Sequence, residues 1–238
     1  MTAEGVRGAR AADRVVPAEQ AARRARPVGH LLTRVVWPTQ VVGAHHVPAT
    51  GPVILAANHT GVVDGPVVFG ASPRPLVMMI KQSMFTGPVG AFLRWSGQIP
   101  VDSAGDGGRS ALAAAAAVLR RGGGVGIFPE GTRGRGDVAD ARGGVAWLAL
   151  LTGAPVVPVA VLGTRRTGES TGHVPGLGRR LAVEMGEPVT FTRAPGVSGR
   201  QAQEDATAGV AAALAAVVTR AVARTGIALP EDTGRAPA

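Results

Sequence analysis

The sequence predicts one α/β domain, a mostly parallel central sheet flanked by helices. Three observations carry that prediction. At 238 residues the chain has the length of a single core with little left for a second. Short apolar runs of strand length recur, as in strands buried on both faces. Between them lie helical patterns, and strands alternating with helices build a parallel sheet.

In chain order, residues 1–40 form a basic N-terminal arm that opens "MTAEGVRGARAADRVVPAEQAARRARP". It lacks the apolar core of a secretory signal, so export is not expected. Its second half mixes arginines with Leu31, Leu32, Val35, Val36 and Trp37. That composition suits an interfacial helix on an anionic bilayer, and equally a helix covering the sheet. The domain proper is expected over residues 41–228. Its strands are "PVILAA" from Pro52, "LVMMI" from Leu76, "QIPV" from Gln98, "GVGIF" from Gly124, "PVVPVAVL" from Pro155 and "LAVEM" from Leu181. Its helices are "TGPVGAFLRW", "RSALAAAAAVLRR" and "RGGVAWLALL". The uncharged stretch from Gly143 to Thr164 has the length of a membrane span, but Gly153, Pro155 and Pro158 interrupt it, which predicts a buried helix followed by a buried strand. Val210, Leu214, Val217 and Val218 recur at helical spacing and predict a closing helix packed on the sheet. Residues 229–238 are expected to be a disordered tail.

Arginine and lysine total 25 against 16 acidic residues, a formal charge of +9, and Lys81 is the sole lysine. Such a balance favours anionic partners. With 3% aromatic residues and no tyrosine there are few platforms for stacking bases, so phosphate or lipid is expected and nucleic acid is not. The absence of cysteine excludes a disulfide framework, a thiol nucleophile and a cysteine-based zinc site. His45 and His46 would point to opposite faces of an extended chain, so no metal site is expected there.

In open α/β sheets ligands gather at the carboxyl ends of the strands, so the polar residues just after the apolar runs carry the functional information. Two such stretches stand out. After "PVILAA" comes "NHTGVVD", Asn58 to Asp64, and after "GVGI" comes "FPEGTR", Phe128 to Arg133. A neutral imidazole can take a proton from a hydroxyl, and a carboxylate on its other nitrogen fixes the tautomer. His59 and Asp64 supply those groups if the turn between them folds the aspartate back. Arg133 offers a planar fork that grips phosphate, with Glu130 beside it and Gly131 giving the backbone access to a ligand. Taken singly, each stretch also reads as ordinary capping residues or a solvated ion pair.

Together the two blocks resemble the signature of the 1-acylglycerol-3-phosphate acyltransferase family of glycerolipid acyltransferases. "NHTGVVD" matches the family's Asn-His-x4-Asp block and "FPEGTR" its Phe-Pro-Glu-Gly-Thr-Arg block. Weaker matches are "KQSMF", "GQIPVD", "RGG" at Arg142 and "VVPVAVLGT", and the resemblance runs from about Val42 to about Pro188. It implies a glycerol-3-phosphate acyltransferase-like fold and acyl transfer from acyl-CoA or acyl-carrier protein to a lysophospholipid hydroxyl, lysophosphatidic acid first among acceptors. It implies His59 as general base and Asp64 as its orienting partner. Asn58, Glu130, Gly131, Thr132 and Arg133 are then expected to bind substrate. No cofactor beyond the acyl thioester is implied, and the expected place is peripheral, on an anionic membrane surface at the cytoplasmic side.

One departure from the family pattern is Ser103, where an arginine usually follows "GQIPVD"; Arg109 could substitute, or the acceptor could be a different lysolipid. Two readings of other classes stand beside this one. "GESTG", Gly168 to Gly172, fits the nucleophile-elbow pattern of serine hydrolases around Ser170, although no acid lies between it and the only later histidine, His173. The other is a basic lipid-binding module without turnover.

Overall fold

The structure, a computed structural model, describes residues 19–102, 107–138 and 142–234. Ser103 lies outside the described residues. Seven strands form one sheet: β1 (Thr39–Val42), β2 (Val53–Ala57), β3 (Leu76–Lys81), β4 (Ile99–Val101), β5 (Gly124–Ile127), β6 (Val156–Leu162) and β7 (Leu181–Met185), in the order β1-β7-β6-β2-β5-β3-β4. Every pairing is parallel except β6 with β7. The six expected strands are present. β1 is additional: a short edge strand whose residues are mostly exposed, so its sequence carries no buried apolar run.

The helices are α1 (Glu19–Leu31), α2 (Asp64–Ala71), α3 (Gly87–Trp95), α4 (Gly107–Arg120), α5 (Gly144–Thr152) and α6 (Gly199–Thr225). The stretch from Gly143 to Thr164 is a helix followed by a strand, as expected. α2 carries the chain from β2 past β5 to β3, whereas α5 carries it from β5 past β2 to β6. Right-handed crossovers running in opposite directions place their helices on opposite faces of the sheet. In agreement, α2 packs with α1, while α4, α5 and α6 pack in sequence on one another. The loops leaving the carboxyl ends of β2 and β5 therefore diverge, and neighbouring strands whose connections part in this way frame a crevice.

One apolar cluster fills the sheet interior, and a second lies beneath α6 around Leu162, Leu214, Val217 and Val218. By length and hydropathy α6 could cross a membrane, but here its apolar side lies on β6 and β7. Ser198 caps its start, its side chain accepting from the Gln201 amide at 3.1 Å.

Two expected boundaries are corrected. The domain begins before residue 41, because α1 buries Ala22 and Ala25 in the main cluster. α1 meets α2 backbone to backbone at Gly29 and Gly70, where a Cβ on Gly70 would fall 2.2 Å from the Gly29 carbonyl oxygen. The tail is anchored over residues 229–234: Leu229 packs on the second cluster and Asp232 pairs with Arg165. A polar, proline-bounded terminus gave no apolar pattern from which that anchoring could be read.

Candidate active site

β2 runs buried to Ala57, and Asn58, fully buried, is the first residue beyond it. The Val161 amide of β6 donates to Asn58 Oδ1 at 2.7 Å, and Asn58 Nδ2 donates to the Val161 carbonyl at 3.2 Å. Both ends of the side chain are thus committed to the neighbouring strand. The expectation that Asn58 contacts substrate is corrected on that ground; it pins the point at which the chain leaves the sheet.

His59 follows and Asp64 opens α2, with a single tight turn between them. The turn does what helical periodicity does not, bringing residues five apart into contact. His59 Nδ1 lies 2.8 Å from Asp64 Oδ2, and the same oxygen accepts the amides of Thr60 at 2.6 Å and Gly61 at 2.8 Å. Asp64 is wholly buried, while the His59 side chain keeps 14% exposure. A carboxylate only accepts, so neutral His59 carries its proton on Nδ1 and leaves Nε2 with an open lone pair. The ring stacks on Phe128, with centroids 4.0 Å apart and planes 14° apart, which fixes its remaining rotation.

The loop after β5 closes the other side. Glu130, 7% exposed, accepts the His59 amide on Oε1 at 2.9 Å, and the Gly134 amide donates to the His59 carbonyl at 3.0 Å. The two blocks are therefore laced together at their backbones, with Glu130 spanning them from a buried position. Gly131 has φ +67°, and a Cβ there would meet the Arg142 guanidinium at 2.8 Å. Thr132 is exposed. Arg133 is half-buried, and among the described residues its contact is a long one, NH2 to the Met84 sulfur at 3.9 Å. No carboxylate is seen paired with Arg133 or Arg142 among the described residues, and a guanidinium is the group that matches an anionic ligand two oxygens at a time. Arg109 is exposed in the first turn of α4, two strands across the same sheet end.

A family model described as Acyltransferase matches residues 38–162, more than half the chain and all of the loops just described. The chain belongs to the acyltransferase family. It is 36% identical over 132 residues to a 1-acyl-sn-glycerol-3-phosphate acyltransferase of Borreliella burgdorferi, covering 52% of this chain and 51% of that protein. It is 34% identical over 126 residues to the enzyme of the same name from Bacillus subtilis, covering 52% and 62%. The matches thus span about half to three-fifths of the length of these relatives. In structure the chain resembles the 1-acyl-sn-glycerophosphate acyltransferase of Thermotoga maritima, with a TM-score of 0.58 and 22% identity over 85% of this chain and 78% of that one. That likeness supports the fold: an acyltransferase α/β sheet.

Three residues of this candidate site had no strong sequence signal. Phe128 looks like the last residue of a strand, and its stacking on His59 emerges only in three dimensions. Arg142 stands nine residues beyond Arg133 in sequence, yet its guanidinium covers Gly131. Arg165 is buried to 1% exposure and bonded to both site loops, although an arginine among "TRRT" gives no sign of burial. The other sequence candidates lie apart from these loops. "GESTG" lies in the loop between β6 and β7, which lacks the strand-to-helix turn of a nucleophile elbow. His46 Nδ1 bonds the Met185 carbonyl at 2.8 Å, and no metal-holding cluster occurs among the described residues.

Proposed function

We propose that this protein transfers a fatty acyl group from acyl-CoA or acyl-carrier protein to the free hydroxyl of a lysophospholipid, lysophosphatidic acid foremost. The observation that carries the reading is the His59–Asp64 pair at 2.8 Å, laced through the His59 backbone to the loop that carries Arg133. His59 Nε2 takes the proton of the acceptor hydroxyl as its oxygen attacks the thioester carbonyl. Asp64 stabilises the imidazolium that forms. Collapse of the tetrahedral centre breaks the carbon–sulfur bond, and the imidazolium returns the proton to the departing thiolate. No protein residue becomes acylated, in keeping with a chain that has no cysteine.

Arg133 and Arg142 are assigned to the acceptor phosphate, since a guanidinium matches its oxygens two at a time. Glu130 acts through the backbone of His59, and Gly131 and Thr132 lie at the rim. Arg109 is a phosphate ligand only for a headgroup reaching toward β4. The relatives' names specify a 1-acyl-sn-glycerol-3-phosphate acceptor, which is lysophosphatidic acid, and support that choice.

The protein is assigned to an anionic membrane surface, peripherally and on the cytoplasmic side. α1 and the turn after it expose Arg23, Arg24, Val28, Leu31, Arg34 and Val35. The loop after β6 adjoins them, the Gly178 amide donating to the Val36 carbonyl and Trp37 Nε1 to the Pro175 carbonyl at 2.9 Å each. That loop adds Val174 and Leu177, the latter 86% exposed. Arginines rimming exposed apolar side chains suit an interface with acidic headgroups.

Purified protein given labelled acyl-CoA and a panel of lysolipids tests the proposal. Turnover with lysophosphatidic acid that disappears in His59→Ala is expected. A folded His59→Ala variant of undiminished rate sinks the general base, and preference for an unphosphorylated acceptor sinks the phosphate assignment.

A further inference from the structure

Arg165 has no surface from which to meet a substrate. Its side chain is fully buried, yet all three guanidinium nitrogens are bonded. Nε donates to the Thr60 carbonyl at 3.0 Å, one NH2 bond goes to the Gly134 carbonyl at 3.0 Å and another to the Asp232 carbonyl at 2.6 Å, and NH1 reaches Asp232 Oδ1 at 2.5 Å and the Glu169 carbonyl at 3.0 Å. A cation this deep persists only when its donors are satisfied, and here they are.

The carbonyls it selects belong to the two loops that build the site. The Thr60 carbonyl and the Gly61 amide are opposite sides of one peptide plane, and that amide donates to Asp64 Oδ2. The preceding plane, between His59 and Thr60, is also held on both sides: Gly134 donates to its carbonyl and its amide donates to Asp64. Arg165 holds the first plane directly and the second through Gly134. Both donors that aim Asp64 at His59 thus depend on one guanidinium, whose counterion comes from the C-terminal segment.

We infer that Arg165 is a positioning residue for His59, and that Asp232 clamps it from the far end of the chain. The kinetic part of this inference rests on the acyl-transfer reading; the geometric part does not.

The test compares wild-type protein with Arg165→Lys and Asp232→Ala, by turnover of lysophosphatidic acid and by nitrogen-15 spectra of histidine-labelled protein. Lysine keeps the charge but loses the fork, so kcat is expected to fall about 10- to 100-fold with KM for the acceptor nearly unchanged. Asp232→Ala removes a half-exposed carboxylate but leaves the Asp232 carbonyl on the guanidinium, and is expected to lower kcat about threefold or more. In both variants the Nδ1-protonated signature of His59 should weaken. An unchanged kcat, or an unchanged His59 signature, in a folded variant overturns the inference. Should Arg165→Lys not fold, Asp232→Ala decides. Should wild-type protein turn over no lysolipid, the acyl-transfer reading fails while the His59 signature still settles the positioning.

Discussion

His59 and Asp64 meet through one oxygen: Asp64 Oδ2 accepts from the imidazole and from two amides, while Oδ1 is buried with no partner among the described residues. The aspartate thus orients the base and ties down the turn that separates them. Asp64→Asn separates these duties, because an amide oxygen can still accept from Thr60 and Gly61 but brings no charge to the imidazolium. We expect kcat to fall by about two to four orders of magnitude, as for loss of charge behind a general base. The melting temperature should change little. A kcat within threefold of wild type, measured with saturating lysophosphatidic acid, defeats the role.

Arg133 has a soft sulfur as its described neighbour in place of a carboxylate, so removing it orphans no buried partner among the described residues. Arg133→Ala should leave stability unchanged and raise KM for a phosphorylated acceptor about 10- to 100-fold, the loss of one or two hydrogen bonds to a charged group. Arg133→Lys should recover only part, since a point charge cannot bind two oxygens at once. KM for an unphosphorylated lysolipid should not move. An equal rise for both acceptors would place Arg133 away from the phosphate.

The contrast between these residues and the others marks what the sequence could disclose. Strands buried on both faces are apolar without interruption, and six of seven were legible for that reason; β1, at an exposed edge, has no such run. The residues of the site were legible where chemistry alone demands the residue type, as with an imidazole, a carboxylate and a guanidinium. Their connections were not. Periodicity does not bring His59 to Asp64; the turn at Gly61 does. Asn58 enters the expected site only through the family's Asn-His-x4-Asp block, and β6 occupies its side chain. Arg165 and Asp232 are 67 residues apart, and nothing local in either stretch records the ion pair.

The α1 surface and the β6–β7 loop bear jointly on membrane contact. Leu177→Asp with Val35→Asp places two carboxylates among the exposed arginines, far from the buried core. Flotation with vesicles rich in acidic phospholipid should show binding reduced, and binding of wild-type protein should fall as salt rises, because exposed charges are screened within about 10 Å at 0.1 M. The doubly substituted protein should keep turnover on detergent-dispersed substrate. Undiminished binding of the variant would remove this surface from the membrane.

Acid should loosen the β6–β7 loop in a defined window. Glu169 is drawn down to about 2 from an ordinary 4.5, chiefly by hydrogen bonds from Arg179, against burial and with help from the Arg166 amide. A carboxyl with a depressed value in the folded protein stabilises it fully above the unfolded value and loses that contribution as pH falls from there toward about 2. Urea unfolding of wild-type protein and Glu169→Gln should therefore differ most at neutral pH and converge below pH of about 4. A difference that holds constant to pH of about 3 would show that Arg179 is not the source.

Asn58 offers the sharpest separation of structural from chemical roles, because it stands next to the base in sequence and bonds only backbone. Replacing it with alanine leaves the amide and carbonyl of Val161 without their side-chain partners at a site closed to solvent. Each buried group so stranded costs about 1–3 kcal/mol. We expect Asn58→Ala to lose about 2–6 kcal/mol of unfolding free energy in urea, on the sum of two such groups. KM for the acceptor, measured on the fraction that remains folded, should stay near wild type. A stable variant with a raised acceptor KM would return Asn58 to the substrate pocket and would require β6 to release it during turnover.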